Sequence, residues 1–113
     1  LLVEGGVVDN LPLNVAIDLG ARDILAIDVG GGLGRKPSTS LEIAFRAGRI
    51  TSQELNRIKT RIARERLDGS LLVLEPEVNE ISMLNFNEIG KAINAGENCI
   101  KNNLEEAQRL FKE

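Results

Sequence analysis

The feature that most constrains the fold is an almost uninterrupted apolar run at residues 24–29, Ile-Leu-Ala-Ile-Asp-Val. Its residues do not alternate between apolar and polar, which is typical of a strand in a parallel sheet that is covered on both faces. A second apolar run, at residues 71–74, follows an Asp-Gly pair and predicts another strand. Such strands, with helical patterns between them, predict an α/β fold with a mostly parallel sheet and flanking helices.

The amino-terminal 20 residues predict a strand, a turn and a helix. Residues 1–3 are apolar and run into Glu-Gly-Gly, so we expect a strand that stops at a tight turn, with residues 7–8 extended beyond it. Polar residues able to cap a helix precede Pro12, which suits a first helical turn. The helix is predicted to end near Leu19, because Gly20 follows.

Two longer helical regions follow the apolar run. Residues 41–47 predict a short helix that a glycine interrupts, and a stronger helix is predicted from Thr51, which has the spacing of a capping box with Glu54. A final helix is predicted to start near Asn85 and to keep one apolar face as far as Phe111.

Composition limits the chemistry of the chain. Its 113 residues suit one domain, and they include no His, which excludes a Ser-His-Asp triad, a Cys-His pair and a His-bearing zinc site. The net charge of −3, without an evident basic stripe, argues against nucleic acid as the main partner. Without a membrane-spanning run or a signal peptide pattern, we expect a cytoplasmic or membrane-peripheral location, with any targeting signal outside this segment. Cys99 is interpreted as a small packed side chain.

A glycine-rich stretch, Gly30 to Gly34, follows the apolar run and is expected to lie beyond the carboxyl end of its strand. Arg35 stands where a dinucleotide fingerprint starting at Gly30 needs Gly or Ala, and Lys36 is not preceded by the Gly of a phosphate-binding Walker loop. The stretch is therefore interpreted as a surface loop.

The turn at Glu4-Gly5-Gly6 is the stronger candidate for chemistry. A carboxylate at the end of an apolar strand, beside two glycines and at the ligand-binding edge of a sheet, can accept a proton from a hydroxyl nucleophile. Asp9 and Asp28 are also expected near this edge, although Asp is common in caps and turns.

The run from Leu2 to Pro12, followed by Leu-Gly-Ala at residues 19–21 and the apolar run, resembles the second catalytic block of the patatin-like phospholipases, in particular bacterial members. In that family the block reads Asp-Gly-Gly or Asp-Gly-Ala, a hydrophobic pair, Asn-x-Pro and then a helix ending in Gly-Ala. Pro76, the Asn85-Phe86 pair and Ala-Gly-Glu at residues 95–97 resemble the family's closing strand and helix.

The resemblance implies a lipid acyl hydrolase with a Ser-carboxylate dyad, acting on a lipid ester at a membrane or micelle surface and needing no metal or organic cofactor. In the family the Asp of the turn accepts a proton from a Ser in a Gly-x-Ser-x-Gly elbow, and here Glu4 stands in place of that Asp. By the same resemblance Gly5 and Gly6 permit the turn, Asn10 holds it through side-chain hydrogen bonds, and Pro12 starts the helix.

The nucleophile of the family has no match in this chain. None of its serines has the flanking glycines of an elbow; these are Ser38, Ser40, Ser52, Ser70 and Ser82. We therefore expect residues 1–113 to be the carboxyl-terminal portion of a patatin-like hydrolase domain, with the nucleophile upstream, and the chain alone to be inactive. The alternatives are a catalytically silent scaffold of the same fold or an α/β module that binds a ligand at the glycine-rich loop. Pairing with the missing half or with a second copy would cover the edge of the first strand.

Overall fold

The structure is a computed structural model that describes residues 2, 5–30, 37–78, 81 and 86–112. Two strands and four α-helices are assigned in these ranges, together with two short 3-10 helices. In chain order the elements are a 3-10 helix Gly5–Val7, α1 Leu13–Asp18, β1 Asp23–Ile27, α2 Ser40–Arg66, β2 Ser70–Leu74, a 3-10 helix Phe86–Glu88, α3 Ile89–Asn102 and α4 Leu104–Leu110.

The two strands pair in parallel, and α2 is the crossover between them. The register begins with Asp23 opposite Ser70 and ends with Ile27 opposite Leu74. The Asp28 amide then donates to the Leu74 carbonyl over 2.8 Å, which extends the pairing past the end of β1. The α/β class with flanking helices, predicted from the apolar runs, is confirmed.

The chain segments just before the two strands approach each other closely at Arg22 and Gly69. A methyl group on Gly69 would lie 1.9 Å from the carbonyl oxygen of Arg22, a distance that only a backbone shift could relieve. The Ser70 amide donates to the same carbonyl over 3.2 Å. Glycine at 69 thus permits the close approach that starts the parallel register.

The core lies on one side of the sheet, between β1 and the first two helices. Its buried members are Leu11, Leu13, Ile24, Ala26 and Ala63. Burial alternates along β1, and Ile27 remains 55% exposed. The expectation that this strand is covered on both faces is therefore wrong for the described residues, although α4 contacts both strands and buries Ala107.

The crossover helix is the largest departure from the sequence prediction. Instead of a short helix and a second one from Thr51, α2 runs unbroken over 27 residues. The cost of one interior glycine, about 1 kcal/mol relative to Ala, is small for a helix of this length. The Thr51 hydroxyl donates to the Ala47 carbonyl over 3.1 Å, a bond made inside a helix rather than at its start.

A capping box does start α2, but at Thr39 and Glu42. The Glu42 amide donates to the Thr39 hydroxyl over 3.2 Å, and the Glu42 carboxylate accepts from the Thr39 amide over 3.2 Å. The Ser38 amide and hydroxyl donate to the same carboxylate oxygen over 2.6 and 2.9 Å. These bonds lower the pKa of the Glu42 carboxyl group, and the bond from the Ser38 amide has the largest effect.

The remaining boundaries agree in part. Gly20 ends the first helix with a φ of +94°, as predicted, but Pro12 occupies the N-cap position without any side-chain cap. Residues 5–7 form a 3-10 turn, so the extended path expected at residues 7–8 is wrong. The long final helix is interrupted at Asn103, while Asn85 and most of the strand predicted at residues 1–3 lie outside the described residues.

Candidate functional site

An open cleft of about 1300 Å³ lies at the carboxyl edge of the sheet. One wall comes from the segments around the strand ends, and the other is a face of α2. Parallel strands present their carboxyl ends at one edge, which is where ligands bind in open α/β sheets. The residues contributed by the strand-end segments are Gly6, Asn10, Asp28, Gly30, Val73, Glu75, Pro76 and Glu77.

Asp28 is the carboxylate at the end of β1. Its Oδ1 accepts from the Gly30 amide over 2.8 Å, and its Oδ2 accepts from Asn56 Nδ2 over 3.2 Å. Asn56 is the one buried polar side chain among the residues described, at 8% exposure. Both oxygens of Asp28 are thereby oriented, one by its own loop and one by α2.

Asp9 follows the 3-10 turn and is held by the same helix. Lys59 Nζ donates to Asp9 Oδ1 and to the Val8 carbonyl, each over 2.8 Å. Only about a quarter of each side chain in this ion pair is exposed, so solvent screens it less than a surface pair. Lys59 thus fixes the backbone just after the turn.

The turn itself carries the residues that sequence singled out. Glu4 lies outside the described residues, while Gly5 accepts from the Val8 and Asp9 amides over 3.0 and 2.8 Å. Gly6 lines the cleft, as does Asn10. A methyl group on Gly30 would come within 3.9 Å of Asn10 Nδ2, so the turn and the loop after β1 are neighbours.

Asn56 and Lys59 were not predicted as site residues. They lie three positions apart on α2, and so one face of the helix reaches both the loop after β1 and the segment after the turn. The signal in the sequence is a Lys and an Asn beside the apolar stripe at Leu55, Ile58 and Ile62. Their partners are more than 25 residues away along the chain, and sequence spacing does not specify them.

The arrangement presents the oriented carboxylate of Asp28 to an open cleft, and such a group accepts hydrogen bonds and protons. No group of three or more His, Cys, Asp or Glu suited to a metal ion occurs within the described ranges. Of the serines considered above, Ser52 lines the cleft, and the Ser38 hydroxyl is engaged by Glu42. Cys99 is half-buried and borders a second, smaller groove.

Comparison with known proteins finds a similarity to a lipid hydrolase. Lysophospholipase NTE1 of Mycosarcoma maydis is 57% identical to this chain over 30 residues, which is 26% of the chain and 2% of the fungal protein. The chain therefore spans a very small part of that relative, and the match supports a relationship to lipid hydrolases in that stretch. No protein-family model matches the chain. In the parts that the structure describes, no helix is long and apolar enough to cross a bilayer.

Proposed function

We propose that this chain is the acid-bearing, carboxyl-terminal portion of a patatin-like lipid acyl hydrolase. The observation that carries the proposal is the 57% identity to a lysophospholipase. It is supported by the position of Gly6 at the cleft, two residues after the candidate acid Glu4. The substrate class is a carboxylic ester of a lipid, and the serine would come from outside this segment.

In the proposed reaction Glu4 accepts the proton of the serine hydroxyl as the serine oxygen attacks the ester carbonyl. The alcohol leaves with a proton from the carboxyl group, and an acyl-serine remains. Water then attacks the acyl-serine and gives a proton to Glu4, which returns it to the serine oxygen as the acyl–oxygen bond breaks and the fatty acid is released. The contacts of Lys59 with Val8 and Asp9 support this role, because they anchor the segment directly after the turn.

The replacement of Asp by Glu at this position has a geometric consequence. One additional carbon moves the carboxylate by about 1.5 Å. A displacement of roughly 1 Å can change a rate on the order of a hundredfold, so Glu and Asp are not equivalent bases in one pocket. A pocket that is built for Glu would lose activity on Glu4→Asp, whereas a degenerate site would gain it.

The test measures release of fatty acid from a lysophospholipid by the full-length protein and by its Glu4→Gln variant. Loss of the base should lower kcat by roughly a thousandfold or more, as for acidic members of other catalytic constellations. Glu105→Gln, the same chemical change at a carboxylate exposed on α4, is the matched control and should keep the wild-type rate. An unchanged rate for Glu4→Gln would refute the proposed base. The 113-residue chain alone should not turn over a nitrophenyl ester.

A further inference from the structure

Charge is divided unevenly between α2 and the rest of the chain. The 27 residues of α2 hold seven of the 14 Lys and Arg residues but only three of the 17 carboxylates, so the helix carries +4 and the remainder −7. Two separate helices divided at Gly48, as the sequence predicts, would each carry only some of these cations. A continuous helix places all seven on one rod about 40 Å long.

The cations of the second half of α2 include a stripe that lies on one side of the helix. Arg57, Arg61 and Arg64 are spaced by four and three residues, all three are exposed, and all three line the cleft. Two exposed isoleucines continue this series toward the start of the helix: Ile43, Ile50, Arg57 and Arg64 follow one another at intervals of seven residues. Residues seven apart lie on nearly the same side of a helix, so the isoleucines share this face. We call these five residues the arginine–isoleucine face.

We propose that the arginine–isoleucine face of α2 docks this protein on an anionic lipid surface. The arginines contact the phosphates of acidic headgroups, and the isoleucines lie at the boundary between headgroups and acyl chains. Binding of a helix at a lipid surface draws on these two contributions, the burial of aliphatic side chains and the attraction of cations to anionic lipids. The proposal builds on the proposed function, which needs a lipid surface, but docking is measurable without hydrolysis.

The neighbouring charges favour an extended surface over a small anion. Glu75 and Glu77 line the same cleft as the arginines, and Glu54 accepts from Arg57 Nε and Nη2 over 2.9 and 2.7 Å, so a free phosphate there would meet both signs of charge. A surface that meets α2 from outside contacts the exposed arginines, and each cation near an anionic leaflet contributes to attraction. The two isoleucines would make no favourable contact with a free phosphate, and they would also disfavour binding to the charged backbone of a nucleic acid.

The test measures cosedimentation of the full-length protein with vesicles of phosphatidylcholine alone and with vesicles of phosphatidylcholine and phosphatidylglycerol in equal parts. We expect binding to the anionic vesicles that weakens as salt is added, because salt screens exposed charges. Arg61→Gln/Arg64→Gln should lower the partition coefficient about thirtyfold, because each cation near an anionic leaflet raises that coefficient roughly fivefold. Ile43→Ser/Ile50→Ser should lower it as well, without changing its salt dependence.

The matched control is Lys101→Gln/Arg109→Gln, which makes the same change in net charge on α3 and α4, and circular dichroism establishes that each variant folds. An equal loss in this control would assign the binding to net charge and overturn the proposal. Equal binding to neutral and anionic vesicles would also overturn it. Competition by inorganic phosphate beyond that of sodium chloride at equal ionic strength would assign the stripe to a free anion. Binding of an oligonucleotide that the arginine variant loses, without vesicle binding, would assign it to nucleic acid.

Discussion

The two halves of α2 are held in different ways although they belong to one continuous helix. The carboxyl-terminal half makes long-range contacts: Asn56 bonds Asp28, Lys59 bonds Asp9, and Arg66 bonds Asn14 and Asp18 of α1. The amino-terminal half exposes its large apolar side chains, and Arg49 Nη2 donates to the Gly30 carbonyl over 3.3 Å. Its start is fixed locally by the capping box. The carboxyl-terminal half buries Asn56 and Ala63, whereas the large apolar side chains of the amino-terminal half stay exposed.

The largest difference between the halves should appear on enlarging an alanine. Ala63 is fully buried in the core, so Ala63→Leu must displace its neighbours and should lower the free energy of unfolding by about 1–3 kcal/mol. Ala47→Leu makes the same change at an exposed position of the amino-terminal half and should stay within about 0.5 kcal/mol of wild type. Urea denaturation measures both, and equal losses would show that the two halves are packed alike.

Removal of the buried amide should come next in size. Asn56→Ala leaves Asp28 Oδ2 without its partner on α2 and should cost about 1–3 kcal/mol in the free energy of unfolding. Because the Gly30 amide donates to the other oxygen of Asp28, its hydrogen exchange should also become faster. Asn98→Ala, at an exposed position of α3, should alter neither measurement. If hydrogen exchange at the Gly30 amide were unchanged in Asn56→Ala, the Asn56 side chain would not stabilise the loop after β1.

The third comparison sets a partly buried ion pair against an exposed one. Lys59→Met removes the bonds to Asp9 and Val8 and should lower the free energy of unfolding by about 1 kcal/mol. Lys101→Met removes the pair with Glu97, in which both side chains are more than half exposed, and should cost less than about 0.5 kcal/mol. If the two losses were equal in thermal or urea unfolding, the contacts of Lys59 would add no more than a surface pair.

The sequence predicts the parts of this molecule that depend on local patterns. The apolar runs predict both strands, and Gly20 predicts the end of α1, where the structure gives this glycine a positive φ. The continuity of α2 was missed, because Gly48 resembles a break and the Thr51–Glu54 spacing resembles a cap. Tertiary contacts at Asn56 and Lys59 decide the position of the helix, and those contacts join segments distant in sequence.

The candidate site divides along the same line. The residues near the turn follow from a motif, and of these Gly6 and Asn10 line the cleft. The helix residues that fix the segments around the turn follow from no motif, since they depend on how α2 crosses the sheet edge. The role of Glu4 stays a prediction from the sequence, because that residue lies outside the described ranges.

The smallest expected effect is a loss of helix stability at low pH in the amino-terminal half of α2. Hydrogen bonds from Ser38 and Thr39 lower the pKa of Glu42 in the folded chain, below its unfolded value of about 4.3. The folded state therefore binds the proton less readily than the unfolded one, and the carboxylate contributes stability at pH above about 5. This contribution should be lost as the pH falls below about 4 and through the lowered pKa.

An acid titration followed by circular dichroism tests that sign. The wild-type chain should lose helix as the pH falls below about 5. In Glu42→Gln the part of this loss that comes from protonation of Glu42 should be absent. Glu65→Gln makes the same substitution in the carboxyl-terminal half, away from the box, and should keep the wild-type profile there. Because Glu42 is exposed and its bonds join neighbours only, the change should be confined to the first turns of α2. A loss of helix that is the same in Glu42→Gln and wild type would mean that the box does not hold this half.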